Sequence, residues 1–491
     1  MHQPDTESLP PPPPPQPPPI EKPVFASPGR AALLLRDLKA ALAGGHHDYT
    51  EERLGRAILL LAIPMVLEMV MESIFAVVDI FWVSHLGPDA IAVVGITESM
   101  MTLVYAVAIG LSIAATAVVA RRVGEKDADG AAIAAVQVIF LGAVSALILG
   151  VIGAILAPHL LHVMGASPDA IARGGSFTRI MLGGNATVFL IFLINAVFRG
   201  AGDAAIAMRT LWLANFLNIM LGPCFIFGWG PFPELGVAGA AVATNTGRGI
   251  GVLYQLFSLV RRSRQLTVRR RHLRIDRAVM GNVVRIAIDG IGQLLINTTS
   301  WVGLMRLMAP FGSVALAGYA VTMRVVMFAI LPAWGLSNAA ATLVGQNLGA
   351  KHPERAEQAV WTAARYNLYF LGAVGVVFVA FAGPIVRLFP GGAEMQAFGT
   401  TALRIVGLGF PFYAYGLVLS SAFNGAGDTR TPTIMNLFCF WIWEIPLAWV
   451  LARPLEVGAQ GIVVAVAVAF STLAVVSVIV FRRGRWKSQR V

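Results

Sequence analysis

Six acidic residues lie inside long apolar stretches of this sequence: Glu68, Glu72, Asp79, Glu98, Asp289 and Glu444. A charge at the centre of a bilayer costs at least about 2.5–3.5 kcal/mol, so each such acid needs a partner, a wet cavity or a proton. Glu68, Glu72 and Asp79 follow one another at spacings of four and seven. At roughly 100° per residue, they share one helical stripe within about 40°. Three acids on one face do not point at lipid. They predict an internal cavity and a cluster able to release and rebind a proton as access to it changes. Glu444, two residues before Pro446, fits either a second ionisable site or a structural hydrogen bond. Asp289 falls near the start of an apolar stretch, within reach of the interface.

Other chemistries are poorly supplied. His159 and His162 are three apart, but no cysteine or acid cluster completes a metal set, so surface histidines and no metal are expected. The turns Phe198–Asp203 and Phe423–Asp428 each carry Gly-Ala-Gly-Asp. They lack the strand, the glycine spacing and the Lys-Ser/Thr pair of a nucleotide loop, so no nucleotide cofactor is expected. No intramembrane nucleophile–base pair is visible, which argues against an enzyme. Cys224 and Cys439 both sit in apolar stretches and imply no disulfide framework.

The elements that position the acids follow from composition. Of 491 residues, 57% are apolar and 13% charged, with a mean hydropathy of +0.72. Soluble proteins are about 45–50% apolar and about 25% charged, so a soluble enzyme, a disulfide scaffold and a disordered chain are excluded. Apolar segments fall near 57–85, 90–119, 131–160, 175–198, 206–229, 236–260, 279–308, 314–345, 358–388, 397–423, 432–452 and 459–481. Each is long enough for a tilted bilayer span, which predicts twelve transmembrane helices in an all-α membrane protein. The net charge of +11 is a topology signal, with no nucleic acid implied. With the N-terminus inside, most Lys and Arg residues fall on the cytoplasmic side, including the run from Arg261 to Arg277 and the tail from Arg482 to Arg490. Both termini are therefore expected in the cytoplasm. Residues 1–29, with prolines at 10–15 and 17–19, read as a disordered tail or a docking motif for a proline-binding module. No secretory signal pattern is seen there. Residues 31–43 read as a short amphipathic helix, on the membrane surface or simply on the protein.

The chain repeats itself at an offset of 225. Phe198-Arg-Gly-Ala-Gly-Asp203 matches Phe423-Asn-Gly-Ala-Gly-Asp428, Gly124-Glu-Lys matches Gly349-Ala-Lys, and Gly87 matches Gly312. Six spans per half return the chain to its starting side, so the halves share one orientation, and a site at their interface near the midplane is expected. The domain reading is a tail with a short helix (1–53), an N-terminal lobe (54–262), a basic linker (263–278), a C-terminal lobe (279–481) and a basic tail (482–491).

These residues resemble the multidrug and toxic compound extrusion (MATE) transporters, nearest the DinF-like branch. The resemblance rests on Ile63-Pro64 followed by Val78-Asp79, on Leu86-Gly87-x-x-Ala90-Ile-Ala-Val-Val-Gly95, and on Arg121-Arg-Val-Gly124. It continues through Phe198–Asp203, Leu235–Thr244, Leu331-Pro332 through Gly345-Gln-Asn-Leu-Gly349, and Phe423–Thr429. It implies a V of two six-helix lobes that exports organic, often cationic, amphiphilic compounds as protons or sodium ions flow inward. It implies a cation-coupling role for Asp79, with Asn195, Asn218 and Thr244 as polar partners, while the helical stripe sets Glu68 and Glu72 on the same face. Where many DinF-like members carry a second Asp this chain has Gly222, and Glu72, where the family commonly has Gln, is expected to restore the acid count. The acids of the NorM-like branch are replaced by Asn297 and Tyr413. Protons are thus favoured over sodium, and no cofactor is implied. A bend at Pro64 on protonation is implied too, against a static kink. Met65, Met69, Phe189, Phe192, Tyr319 and Trp334 fit either a substrate cleft or plain helix core. A lipid-linked saccharide flippase is the alternative, because Arg179, Arg248, Arg324 and Arg365 lie within spans. The expected setting is a monomer in a bacterial inner membrane with small-molecule substrates.

Overall fold

The computed structural model describes residues 30–45, 47–261, 266–489 and 491, and the proline run lies outside them. Among the described residues there is no strand. The helices are α1 (Arg30–Ala43), α2 (Leu54–Ser84), α3 (Pro88–Gly124), α4 (Ala128–Val163), α5 (Pro168–Gly183), α6 (Ala186–Ala201), α7 (Ala204–Phe227) and α8 (Val237–Arg261). The second half holds α9 (Arg277–Met308), α10 (Ser313–Gly349), α11 (Pro353–Arg387), α12 (Ala393–Ala426), α13 (Arg430–Asn436), α14 (Ile445–Ala452) and α15 (Ala459–Arg482). A π-helical stretch, Leu437–Glu444, joins α13 to α14 into one span.

The repeat is structural. α3 and α10 begin and end around the same offset, and the loops that follow them place Lys126 and Lys351 at φ 59° and 61°. Both Gly-Ala-Gly-Asp turns close their helix with a left-handed glycine, Gly202 at φ 88° and Gly427 at φ 83°. Only glycine takes that conformation without a Cβ clash, which is why the turn recurs in both halves. Side-chain caps start several helices: Asp127 accepts from Gly130 N–H, Ser167 from Ala170 N–H, and Asp276 from Ala278 and Val279 N–H.

Among the described residues, eleven spans are long and apolar enough to cross a bilayer, with α5 and α6 together forming one of them. The sixth predicted span, α8, is of sufficient length but polar, since it carries Thr244, Asn245, Thr246, Arg248 and Gln255. It is the twelfth by position in the repeat. Those polar groups turn into the lobe, with Thr244, Arg248 and Gln255 buried.

The fourth span differs from the single predicted helix. It breaks at Gly184-Asn185, because Asn245 of α8 occupies the space a Cβ at Gly184 would need. Thr187 Oγ donates to Asn245 Oδ1 at 2.9 Å, and Asn245 Nδ2 donates to the Ile180 carbonyl at 3.3 Å. The Ile180 carbonyl already accepts the Gly184 N–H at 2.8 Å, so Asn245 is a second donor to it and bridges the two sides of the break. The equivalent helix of the other half, α12, is continuous over 34 residues.

The two lobes, α2–α8 and α9–α15, meet through α2 with α10, α3 with α9 and α3 with α10. All the hydrogen bonds between their spanning helices, among the described residues, lie toward the end that carries α1 and the C-terminal tail. Thr342 Oγ donates to the Arg199 carbonyl at 3.1 Å and Gln346 Nε2 to the Gly200 carbonyl at 3.0 Å. Arg121 Nη2 donates to the Ala426 carbonyl at 3.2 Å and to the Gln489 carbonyl of the C-terminal tail at 3.0 Å. Backbones touch there: a Cβ at Gly124 would overlap the Gln346 carbonyl, and one at Gly349 the Arg121 carbonyl. Midway up, Gly110 packs on α9, where its Cβ would stand 2.5 Å from Ile291 Cγ1. Its repeat partner Gly335 packs on α2, where its Cβ would stand 2.7 Å from the Met65 carbonyl. Beyond this level Glu98 of α3 and Arg324 of α10 are both exposed, one on each lobe. The lobes form a V closed at the basic end.

The N-terminal helix does not lie free. α1 packs on α2 and α7, and Arg209 Nη2 donates to the carbonyls of Leu42 and Ala43 at 2.6 Å. Tyr49 Oη then donates to the Gly202 carbonyl at 3.0 Å, while Arg355 of α11 donates to the carbonyls of Tyr49 and Glu52. The segment after α1 therefore spans both lobes across the closed end. α2 runs as one helix through Pro64, with no break at that residue.

Candidate functional site

The acid stripe of α2 faces the interior of the N-terminal lobe, where α6, α7 and α8 supply partners. Asn195 and Arg199 are one turn apart on α6 and converge on Glu68. Arg199 Nη1 donates to Glu68 Oε1 at 2.9 Å and Asn195 Nδ2 donates to the same oxygen at 3.0 Å. Gln255 of α8 holds the Asn195 amide by donating to its Oδ1 at 2.5 Å. Glu68 is 2% exposed, so this is a desolvated ion pair. The Arg199 carbonyl accepts from Thr342 of the other lobe, which ties the pair to the lobe contact.

One turn along, Glu72 meets Arg248. Arg248 Nη2 lies 3.6 Å from Glu72 Oε1, and Asn215 Nδ2 donates to Glu72 Oε2 at 3.0 Å. Arg248 also donates to Tyr105 Oη at 3.3 Å and stands over the Phe75 ring at 5.8 Å. The guanidinium thus has a carboxylate, a phenol and an aromatic face, the environment a buried arginine requires.

Asp79 is left over. It is half-buried and accepts no hydrogen bond from any described residue. Its electrostatic neighbours are Glu98 and Arg248. The implied partners do not reach it in this state: Asn195 serves Glu68, and Asn218 Nδ2 donates to Thr244 Oγ at 2.8 Å, closing α7 onto α8. Gly222 faces α2, where a Cβ would lie 3.7 Å from Trp82 Cδ1, an ordinary contact.

Several cleft candidates turn out to be core. Met65, Phe189 and Tyr319 are at most 1% exposed, packed where helices cross. Met69 and Phe192 are half-buried, Phe192 against the Tyr105 ring at 5.9 Å, and Trp334 is exposed. In the other lobe Glu444 ends the π-helical stretch and is buried. Ser300 Oγ donates to Glu444 Oε2 at 2.7 Å, and the phenols of Tyr319 and Tyr413 are its electrostatic neighbours. Asp289 is half-buried and accepts from Thr429 Oγ at 3.3 Å. His159 and His162 join no metal cluster among the described residues.

The sequence reading missed the arginine partners. Arg199 counts as a cytoplasmic charge by position, and Arg248 stands out only as an isolated basic residue. The signal was available: intramembrane charges pair, so a buried Arg on α8 should be sought opposite an acid stripe. Arg199→Met is expected to lower unfolding stability by about 3–5 kcal/mol, because it leaves Glu68 buried and unpaired. The double substitution Glu68→Met/Arg199→Met should recover most of that loss. Thermal unfolding of the two variants in detergent measures the difference, and an unaltered single variant would show the pair to be slack.

The arrangement matches known proteins along its length. A family model described as MatE matches residues 64–224 and 290–450, one copy in each lobe. The chain is 25% identical over 440 residues to "Probable multidrug resistance protein NorM" of Thermotoga maritima, covering 89% of this chain and 94% of that one. A structure described as "Crystal structure of MATE in complex with MaL6" superposes with a TM-score of 0.83 at 25% identity, over 89% of this chain and 97% of the other. Another, "Outward-facing conformation of a multidrug resistance MATE family transporter of the MOP superfamily", gives 0.83 at 25% identity, over 89% and 96%. Two repeated lobes of membrane-spanning helices, each matched by the same family model, identify a transporter of small molecules rather than an enzyme: the chain belongs to the MATE family.

Proposed function

We propose that the protein is a secondary active multidrug efflux antiporter that exports amphiphilic, often cationic, compounds in exchange for protons, with sodium the less favoured ion. The observation that carries this reading is the isolation of Asp79. Glu68 and Glu72 have arginines within ion-pair distance, whereas Asp79 has only the more distant field of Arg248 and accepts no hydrogen bond among the described residues, which leaves it to exchange a cationic substrate for a proton. The absence of a carboxylate at Gly222 supports protons over sodium, because a sodium ion needs several oxygen ligands and a proton needs one. The placement nearest the DinF-like branch belongs to this proposal, as does a cytoplasmic position for the basic end.

In this cycle a cationic substrate enters from the cytoplasm or the inner leaflet and pairs with the deprotonated N-terminal lobe. After the lobes rock outward, Asp79 takes a proton from outside and the substrate loses its electrostatic partner. Coupling requires that proton and substrate differ in which lobe arrangement they favour. The shape described above, closed at the basic end, is the outward-facing member of that cycle. Glu444 is the second ionisable site of this reading, supported by its burial at a π-helical stretch, a feature often found at functional positions.

The flippase reading requires a basic wall to the cleft. Arg248 is buried against Glu72, and Arg179, Arg324 and Arg365 are exposed on three different helices. The deciding experiment is transport of a fluorescent cationic drug into everted vesicles under an imposed proton or sodium gradient. Accumulation driven by the proton gradient and collapsed by a protonophore is expected. Movement indifferent to both gradients would sink the antiporter.

A further inference from the structure

Residues 269–276 of the linker between the lobes lie along the start of α4. His272 is buried, its Nδ1 accepts from the Arg269 N–H at 3.1 Å, and its Nε2 sits 3.0 Å from Asp129 Oδ1. Arg271 Nη2 donates to the same carboxylate at 2.6 Å. Further along, Gln137 Nε2 donates to the Arg274 carbonyl at 2.7 Å, and its Oε1 accepts from the Asp276 N–H at 3.3 Å. Between these two fastenings Leu273 and Ile275 turn outward, 67% and 66% exposed. Arg270, Arg274 and Arg277 beside them are exposed and have no ion-pair partner among the described residues.

The height of this segment gives the exposure a meaning. The outward apolar surface of α4 begins at Phe140 and runs through Val144, Leu147 and Val151. Phe140 is three residues past Gln137, about 4.5 Å along the helix axis. α8, which leads into the linker, keeps Leu253, Phe257 and Val260 exposed up to its last turn. Leu273 and Ile275 therefore continue the lipid-facing surface, and the three arginines stand at the level of the headgroups.

We propose that residues 269–277 form a binding surface for anionic phospholipids in the leaflet at the basic end. Leu273 and Ile275 enter the acyl boundary, and Arg270, Arg274 and Arg277 meet the headgroup phosphates. Charge complementarity selects this occupant, since guanidinium groups bind phosphate oxygens in pairs and a basic cluster next to a span is drawn to anionic lipid. The linker is the covalent joint between the lobes, so the lipid holds that joint to the membrane while the lobes move.

The test uses the full chain with Cys224→Ser, since Cys439 is buried. Leu273→Cys is labelled with bimane and the protein is placed one copy per nanodisc, in phosphatidylcholine alone or with about 30% phosphatidylglycerol. With phosphatidylglycerol, quenching by iodide should fall on the order of threefold and quenching by doxyl-labelled lipid should rise. High salt should weaken the change, and Arg270→Gln/Arg274→Gln/Arg277→Gln should abolish it at an unaltered melting temperature. Ile275→Cys repeats the measurement from a second position. Three results would overturn the proposal: a label open to iodide in both lipids, shielding indifferent to phosphatidylglycerol and to the triple substitution, or equal shielding by inorganic phosphate in neutral discs. Shielding seen only with two copies per disc would also overturn it, in favour of a contact between copies.

Discussion

Asp79→Asn is expected to remove proton-driven drug accumulation, leaving at most a tenth of the initial rate. The amide keeps the shape of the carboxylate but can neither take up a proton at working pH nor attract a cation. Folding should be undisturbed, because Asp79 accepts no hydrogen bond among the described residues that an amide would break. Two measurements separate loss of coupling from loss of binding. Initial rates in everted vesicles under a proton gradient should fall to the level seen without one. Equilibrium binding of the drug in detergent should lose its dependence on pH while some affinity persists. Gradient-driven transport that survives intact in this variant would remove Asp79 from the mechanism. Glu72→Gln makes the informative contrast. It takes the counterion from Arg248 rather than the free acid from the stripe, so it should cost stability before it costs gradient dependence.

Gly349→Val is expected to keep the lobes apart at the basic end. Any Cβ at 349 would overlap the Arg121 carbonyl, and the valine side chain adds two methyl groups more. Packed helices do not yield smoothly to such overlap, and overpacking costs about 1–3 kcal/mol. That cost falls on the closed state alone, so its population relative to the open one should drop roughly 5- to 150-fold. Thr342→Cys, in a Cys224→Ser background, reports the change: position 342 is buried beneath the contact. Its reaction with a water-soluble maleimide should accelerate by about the same factor, and efflux should fall with it. Gly124→Val, at the equivalent place in the repeat, should behave alike. Normal efflux with a protected Thr342→Cys would mean that the close approach has no part in the cycle.

Much of the architecture is legible in the sequence because the bilayer imposes it. Segment lengths and the 225-residue offset are one-dimensional signals, and the helices follow both. The acid stripe is legible for the same reason, since one helix periodicity relates its members. What escaped were relations between helices. Asn245 breaking the fourth span from α8 has no local signature beyond Gly183-Gly184, and the π-helical stretch before Glu444 has none. Arg199 and Arg248 reach their acids across 131 and 176 positions of chain, and only the packing of α2 against α6, α7 and α8 selects those pairings. Methionine and aromatic side chains were ambiguous for a related reason. Helical spacing gives a residue's face but not which neighbour covers it, and Met65, Phe189 and Tyr319 proved to be covered by other helices.

The paired contacts at Gly110 and Gly335 have a mechanical consequence. From Gly110 to Gly124 α3 runs about 21 Å, and from Gly110 back to Pro88 about 33 Å. A lobe that turns about that level is a lever with unequal arms, in a ratio of about 1.6. A gap of about 5 Å at the short arm then corresponds to about 8 Å of travel at the long one. In the proposed cycle the far mouth then travels farther than the basic end. Gearing of this kind sets a size limit on what can be picked up that is stricter than the limit on what can be let go.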